Sequence, residues 1–404
     1  MRVLVFAHVP PPFHGQSYMV RLMLENVGKS SSGADGHPAL FHLNARLSDG
    51  TEDIGVWRAG KFFRLARYIL QAWWMRWKYS LDAFYYVPAP PAKRGALYRD
   101  WLVLFLAAPV FKIRIFHWHA TGLGPWVAQG ASGGGFRRLE AWITRKLFSP
   151  HDLSICLSNY ARDEAAYFGA RKTVVIPNGI PDPCPDFDLD VGPGRQQRAG
   201  ELAAIWSRQT KAPLCYEVLF LSGRMTEKGL FDAMAAAVRA NRLLQEKDFP
   251  LRMRLTVAGI FADETERSRY AAAAQELDAT QLPGSTGPLA VLAGWADEER
   301  KKRLYRQADC FIFPTTYPAE SFGLVLAEAM AHGCAIITTR WQAVPEVLPG
   351  GYPDLVEPHD IEAMAETLLR CAAQPADHSL RDYFLARFTS ERFTLEMQNI
   401  LDEP

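Results

Sequence analysis

The sequence predicts an α/β protein made of two doubly wound, Rossmann-like domains in succession. Three observations carry this prediction. The chain is 404 residues long, which exceeds one ordinary hydrophobic core and suits two. Short apolar, β-branched runs alternate with helical patterns along its length, the signature of parallel sheets covered on both faces. A proline-rich break falls near the middle.

Taken in order, residues 3–7 are a short apolar run that ends in a Pro/Gly loop and precedes a helical pattern over 17–27, a βα opening. Buried-strand patterns recur at 83–87, 113–118, 153–157 and 173–176. The stretch 181–193 then carries Pro181, Pro183, Pro185 and Pro193 with several aspartates and no periodicity, and it reads as linker. A second set of strands follows at 216–221, 251–258, 290–292, 310–313 and 335–338, with a helical pattern at 227–246 between the first two. The expected domains are therefore an N-terminal Rossmann-like domain over 1–180, a linker over 181–214 and a C-terminal Rossmann-like domain over 215–385. A helix over 386–404 completes the chain and can cross back to the first domain. Ligands of such sheets bind beyond the carboxyl ends of the strands, so the expected site is a deep cleft between two facing domains.

Composition narrows the class. Hydrophobic residues at 49% and charged residues at 22% are the balance of a folded globular chain. Lys plus Arg at 45 against Asp plus Glu at 44 leaves no global field toward nucleic acid or an anionic membrane, so no nucleic-acid partner is expected and any basic site is local. Cys156, Cys184, Cys215, Cys310, Cys334 and Cys371 lie far apart without a CxxC pair, which favours reduced thiols and a cytoplasmic setting. The opening MRVLVFAHVPPP is too short for a signal core, and the longest apolar stretch, 101–111, is about half of what a membrane helix requires.

Two constellations carry chemistry. In PTTYPAESFGLVLAEAMAHG, residues 314–333, Glu320 and Glu328 flank an apolar helical run, with Ser321 as its expected N-cap and Gly333 as its C-terminal stop. A helix starting near Phe322 would aim free N–H groups and the positive dipole end at a ligand, a ready diphosphate site. Six helical residues advance roughly 9 Å, enough for one carboxylate to reach a sugar hydroxyl and the other a ribose. The plainer alternative makes Glu328 a solvated helix face and Glu320 a favourable helix-start charge. In FLSGRMTEKGL, residues 220–230, a strand ends at Gly223, and Arg224 and Lys228 bracket the turn into a helix, where two cations suit phosphate. Taken alone, both could be surface residues. At HVPPPFHGQS, Gly15 opens a helix, either for close backbone approach to a ligand or as a plain turn. No GxGxxG follows that strand, which disfavours a dehydrogenase. GASGGG, residues 130–135, has no preceding strand and reads as a flexible loop.

In this order and spacing the elements resemble the retaining glycosyltransferases of family 4, which have the GT-B fold of two Rossmann-like domains. The resemblance runs over nearly the whole chain. Its most specific piece is Glu320-SFGLVLA-Glu328, matching the family's E-x7-E signature, supported by SGRMTEKG, IPNGIPD, ADCFIFPT and AVPEVLPGG. The resemblance implies a nucleoside-diphosphate sugar (UDP or GDP) as donor and a glycan or lipid-linked acceptor, in cell-surface polysaccharide or glycolipid assembly. It implies that Glu320 contacts the donor sugar, that Ser321, Phe322, Gly323 and Leu324 lie near the diphosphate, and that Glu328 holds the ribose. Arg224 and Lys228, beside Gly223, would neutralise the leaving diphosphate. His119 in RIFHWHATG corresponds most naturally to the family's N-domain histidine, with His117 as the other choice and a purely structural role as the alternative. Many members have two glycines where this chain has Gly15-Gln16. The leaving diphosphate would itself take the acceptor proton on the same face, so no metal and no cofactor is expected.

Two further features invite other readings. Asp186, Asp188 and Asp190 look like a DxD metal motif, but they sit in the expected linker and read as a solvated acidic segment. Residues 61–87 are basic and aromatic. Arg64, Arg67, Arg76 and Lys78 with Trp73, Trp74 and Trp77 form either a face for membrane or lipid-linked acceptor, peripheral on an inner membrane, or an ordinary packed helix. The rival functions are a GT-B nucleotide-sugar epimerase and a catalytically silent sugar-nucleotide binding protein.

Overall fold

A computed structural model describes residues 1–11, 14–27, 38–47, 59–90, 94–223, 225–283, 287–374 and 377–402. The chain forms two compact units, one of Met1–Pro181 with Phe388–Pro404 and one of Asp182–Arg387. The first unit runs β1 (Arg2–Ala7), α1 (Gly15–Asn26), β2 (Ala39–Asn44), α2 (Ala59–Lys78), β3 (Ala83–Tyr86), α3 (Arg94–Leu106), β4 (Ile113–Trp118), α4 (Leu123–Ala131), α5 (Gly135–Phe148), β5 (His151–Cys156), α6 (Asn159–Ala165) and β6 (Ala170–Val175). The second runs α7 (Gly192–Trp206), β7 (Leu214–Ser222), α8 (Leu230–Glu246), β8 (Leu251–Gly259), α9 (Glu264–Asp278), β9 (Ala290–Gly294), α10 (Glu298–Gln307), β10 (Cys310–Phe313), α11 (Leu324–Ala331), β11 (Ala335–Thr339), α12 (Val344–Val347), β12 (Leu355–Val356), α13 (Ile361–Ala373) and α14 (Ser379–Arg387). The last helix, α15 (Ser390–Asp402), belongs to the first unit, where the Ser390 amide donates to the Ile180 carbonyl and the Ile180 amide to that of Phe388.

Among the described residues both sheets have six strands and every pairing is parallel, in the orders β2-β1-β3-β4-β5-β6 and β12-β11-β10-β7-β8-β9. Each order reverses once, between β1 and β3 in the first unit and between β7 and β10 in the second. Such a reversal splits the following loops to opposite faces and opens a crevice at the carboxyl ends of the two strands. The central strands are apolar on both faces because helices cover both: AFYY of β3 and CFIF of β10 are buried throughout. Edges are more polar, as in β6 (ARKTVV), where Arg171 and Lys172 stand exposed.

The differences from the sequence reading have local causes. The expected linker over 181–214 contains α7, held on the second unit by Leu202 and Ile205 in its core and by polar anchors. The Arg195 guanidinium donates to the carbonyls of His332, Ala308 and Tyr305 at 2.7 to 3.0 Å, and the Trp206 indole donates to the Ala372 carbonyl at 2.7 Å. The acidic stretch keeps its carboxylates largely in solvent, as its reading as a solvated segment expects, but it is folded, with a π-helical turn over Phe187–Val191. Phe187 and Val191 are buried with Cys184, and Arg306 of α10 pairs with Asp186 at 2.5 Å and Asp190 at 2.8 Å, while Asp188 stays exposed. GASGGG is a loop only over 132–134: Gly130 and Ala131 end α4 and Gly135 begins α5, and a Cβ at Gly130 would stand 2.8 Å from that of Ala141, so a small residue there lets the two helices touch. Strands β2 and β12 escape the apolar pattern because they are sheet edges, half-buried or two residues long.

Candidate functional site

The reversal point of the second unit is lined by the loops that follow β7 and β10. After Ser222 the chain turns through Gly223, where a Cβ would meet nothing within 4 Å. Met225 is buried, and Thr226 hands both its amide and its hydroxyl to Glu266 in the first turn of α9. Gly229 enters α8 at φ +88°, and a Cβ there would lie 2.1 Å from the Pro314 carbonyl oxygen. Only glycine combines that left-handed backbone with that closeness. The contact, with the Thr316 amide donating to the Glu227 carbonyl at 3.2 Å, lays the β7 loop on the β10 loop. The second loop is pinned from beyond: the Thr339 hydroxyl donates to the Thr315 carbonyl at 2.6 Å and the Trp341 indole to that of Tyr317 at 2.8 Å.

This packing brings Lys228 against Glu320, one residue from each loop and 92 positions apart in sequence. Both are largely withdrawn from water, at 15% and 7% side-chain exposure. The Lys228 ammonium also stands 4.6 Å from the centroid of the Tyr317 ring and 5.3 Å from that of Phe313, and the Thr315 hydroxyl lies 3.4 Å from the Glu320 carboxylate. Aromatic faces and a carboxylate together offset the desolvation of the ammonium.

Ser321 and Phe322 are buried, and Gly323 takes φ +76° as the N-cap, so α11 starts at Leu324. The sequence expectation of Ser321 as cap and Phe322 as first helical residue is corrected by two positions, because the left-handed Gly323 stops the helix from propagating backward. Four rather than six helical residues separate the helix start from Glu328, roughly 6 Å of rise. At the far end Gly333 adopts φ +64° just past the helix. Glu328 is not a solvated face. Its carboxylate accepts from the Lys301 ammonium at 2.6 Å and from the Tyr305 hydroxyl at 3.1 Å, both from α10. The Lys301 pKa rises despite burial, which works against the charged form, because the Glu328 carboxylate beside it outweighs that cost.

Arg224 lies outside the described residues. Gly15, Gln16 and His119 belong to the first unit. Gly15 begins α1, capped by His14 and Ser17 in a reciprocal capping box, and is exposed. His119 follows β4 beside His117, their ring centroids 4.0 Å apart. His117 is the more structural of the two: it is buried in the strand, with Nδ1 2.5 Å from the Tyr85 hydroxyl. Burial pushes the His119 imidazole down to about 3, and His14 opposes a further charge, so it stays neutral through the physiological range. His8 is lowered to about 3 in the same way, chiefly by burial and then by His14, whose Nε2 lies 2.8 Å from its own.

Sequence reasoning did not find Lys301, Tyr305, Glu266 or Thr315. KKRLY reads as a charged surface helix, and only the tertiary pairing selects Lys301 from its neighbours. The one local hint for Glu266 is its place three residues after Asp263, the cap of α9.

Residues 216–374, wholly within the second unit, match the family model described as Glycosyl transferases group 1. Among curated relatives, the chain is 39% identical over 94 residues to the phosphatidyl-myo-inositol mannosyltransferase of Mycobacterium tuberculosis, 22% of this chain and 25% of that protein. The chain thus spans about a quarter of the length of that relative. It is 26% identical over 311 residues to the glycogen synthase of the same organism, 73% of this chain and 63% of that one. Among solved structures, Anabaena HepE in complex with UDP and glucose aligns over 100% of both chains with a TM-score of 0.62 at 15% identity. At that identity the likeness speaks for the fold. The two doubly wound units are a GT-B fold, and the segment that carries Lys228, Glu320 and Glu328 is the one that matches the group 1 glycosyltransferases.

Proposed function

We propose that the protein is a retaining hexosyltransferase that moves a mannosyl or glucosyl unit from a UDP- or GDP-sugar to an acceptor hydroxyl, in polysaccharide or glycolipid assembly. The observation that carries this reading is the Lys228–Glu320 pair at the reversal point of the second sheet, immediately before α11, with Glu328 held on that helix by Lys301 and Tyr305. A cation and a helix start at one strand edge suit a diphosphate, and two carboxylates, one before α11 and one within it, suit hydroxyl groups on either side of it. In this reading Lys228 and Arg224 meet the diphosphate, with Gly223 leaving room for it. Ser321, Phe322, Gly323 and Leu324 pass beside the phosphates, Glu320 accepts from sugar hydroxyls, and Glu328 from the ribose. Gly15 and Gln16 are assigned to donor binding, and the neutral imidazole of His119 to catalysis. The names of the relatives, a mannosyltransferase and a glycogen synthase, support a hexosyl donor.

Chemically, the bond from the anomeric carbon to the diphosphate oxygen breaks and the bond from that carbon to the acceptor oxygen forms on the same face. The acceptor proton passes to the departing diphosphate, so no protein nucleophile, metal or cofactor is needed. The protein's part is electrostatic: Lys228, Arg224 and the α11 start stabilise charge as it grows on the leaving group.

The deciding experiment offers UDP-, GDP- and ADP-hexoses, first alone for thermal stabilisation, then with acceptor. The expected results are stabilisation by a UDP- or GDP-sugar, acceptor-dependent release of nucleoside diphosphate, and a product that keeps the donor's anomeric configuration by NMR. Inversion of configuration sinks the mechanism. Release that yields an epimerised free sugar, or binding with no turnover for any acceptor, sinks the transferase assignment.

A further inference from the structure

Helix α2 is apolar on two opposite faces. One holds Leu65, Tyr68, Ile69, Ala72 and Met75, buried in the core of the first unit. The other, Phe62/Phe63, Leu70, Trp73/Trp74 and Trp77 at helical spacing, looks outward, with Phe63 73%, Leu70 61% and Trp77 74% exposed. A folded monomer has no use for a second apolar stripe of that size.

The stripe continues onto neighbouring helices. The Trp73 indole donates to the Leu106 carbonyl at 2.9 Å, joining α2 to the end of α3, where Phe105 is 67% exposed. The Trp101 indole of α3 donates to the Thr144 hydroxyl of α5 at 3.0 Å, and α5 presents Phe136, Leu139 and Trp142 to solvent. The three helices thus form one layer with an outer surface of large apolar side chains.

Charge is segregated on the same layer. Lys61, Arg64, Arg67, Arg76 and Lys78 on α2, Arg94 and Arg99 on α3, and Arg137, Arg138, Arg145 and Lys146 on α5 are its cations. Its two carboxylates, Asp100 and Glu140, are fully buried and balanced locally: Asp100 pairs with Arg99 at 2.6 Å and accepts from the Tyr86 hydroxyl at 2.6 Å, and Glu140 faces Arg94 at 3.4 Å and accepts from the Tyr98 hydroxyl at 2.5 Å, so the excess of cations rests on α2 and α5. In a chain whose net charge is +1, no acidic side chain of these three helices reaches the surface.

We propose that the outer face of α2, α3 and α5 docks on an anionic lipid bilayer, with the aromatic and leucine side chains entering the interfacial region and the flanking cations meeting lipid phosphates. Lysine and arginine stems beside exposed tryptophans, as where the Lys78 ammonium sits 4.3 Å from the Trp74 ring centroid, are the side-chain mixture such an interface selects. Leu70 and Leu139 have no ring to stack on bases, which disfavours nucleic acid, and the excess of cations opposes a second copy of the same face. A helix of 20 residues lying flat would give about 30 Å of contact line.

The test is sedimentation of the full chain with vesicles of phosphatidylcholine alone and of phosphatidylcholine mixed with phosphatidylglycerol. Phe63→Ser/Trp77→Ser, Trp142→Ser and Arg67→Glu/Lys78→Glu are compared with wild type. These side chains are exposed, so unchanged circular dichroism and melting are expected. The wild type should bind only the anionic vesicles and release with salt. The aromatic variants should bind at least about tenfold more weakly, and each removed cation should cost about fivefold. Absence of binding to anionic vesicles overturns the proposal, as does binding that the aromatic variants leave unchanged. Concentration-dependent dimers, or binding to RNA, that these variants abolish without any vesicle binding would overturn it in favour of another partner.

Discussion

Lys228 and Glu320 each satisfy the other in a place where neither is well hydrated, so no single substitution there removes only one interaction. Truncating Glu320 leaves the ammonium with the aromatic faces of Phe313 and Tyr317 but without the carboxylate, which is costlier than losing a surface pair. Glu320→Gln is therefore the cleaner probe, because it keeps the shape and one acceptor. We expect Lys228→Ala to lower turnover by at least about a hundredfold, the scale of removing one stabiliser of transition-state charge. Glu320→Gln should lose most activity while nucleoside diphosphate still binds. Glu328→Ala should instead weaken nucleotide binding, and Lys301→Met should follow it in KM, because Lys301 orients that carboxylate. Steady-state kinetics with calorimetric titration of the nucleotide separates the two carboxylates. Activity within a few fold of wild type for Lys228→Ala, or unchanged nucleotide affinity for Glu328→Ala, would remove that residue from the proposed site.

At the scale of elements, the site depends on loops held by backbone contacts. Gly229 lets the β7 loop rest on the Pro314 carbonyl, and Gly323 turns the β10 loop into α11. Gly229→Ala is expected to cost about 1–2 kcal/mol through its positive φ alone, and more through collision with Pro314, so the melting temperature should fall and Lys228 should move away from Glu320. Gly223→Ala, whose Cβ meets nothing within 4 Å, is the matched control and should leave the melting temperature nearly unchanged. Equal melting for the two variants would show that the loop contact is not what holds the pair together.

At the scale of the molecule, buried histidines link stability to pH. Burial lowers His8 and His119 to about 3, lowers His151 and His332 to about 4, and holds His117 well below its ordinary value. Their folded pKa values lie below the unfolded value of about 6.5. Between that value and the folded ones the unfolded chain binds more protons, so stability is full above about 6.5 and falls as pH drops, by up to about 1.4 kcal/mol per pH unit for each group. Four of the five lie in the first unit and only His332 in the second. Melting should thus shift steeply downward from pH 7 to 5, and amide exchange should rise first in the first unit. A flat profile, or earlier exchange in the second unit, would contradict this.

Much of this was legible along the chain, because it depends on local order. Ten of the strand patterns are short, mostly apolar runs bounded by turn residues, and the run from Glu320 to Glu328 is one continuous stretch whose spacing is visible without a fold. Gly333 as a helix stop was visible for the same reason. What lay beyond the sequence was set by contacts between distant segments. That α7 is an anchored helix follows from Arg195 reaching carbonyls more than a hundred positions away. That Lys301 rather than Lys302 holds Glu328 follows from the packing of α10 on α11, and that DFDLD is a folded turn follows from Arg306. The two-position shift in the start of α11 belongs here too, since Gly323 takes its left-handed φ where Leu326 and Phe313 pack beside it. Local pattern determines which segments are strands and helices through burial periodicity. Which polar side chains meet is decided only when those segments pack, because a polar partner across the fold leaves no periodic trace in sequence.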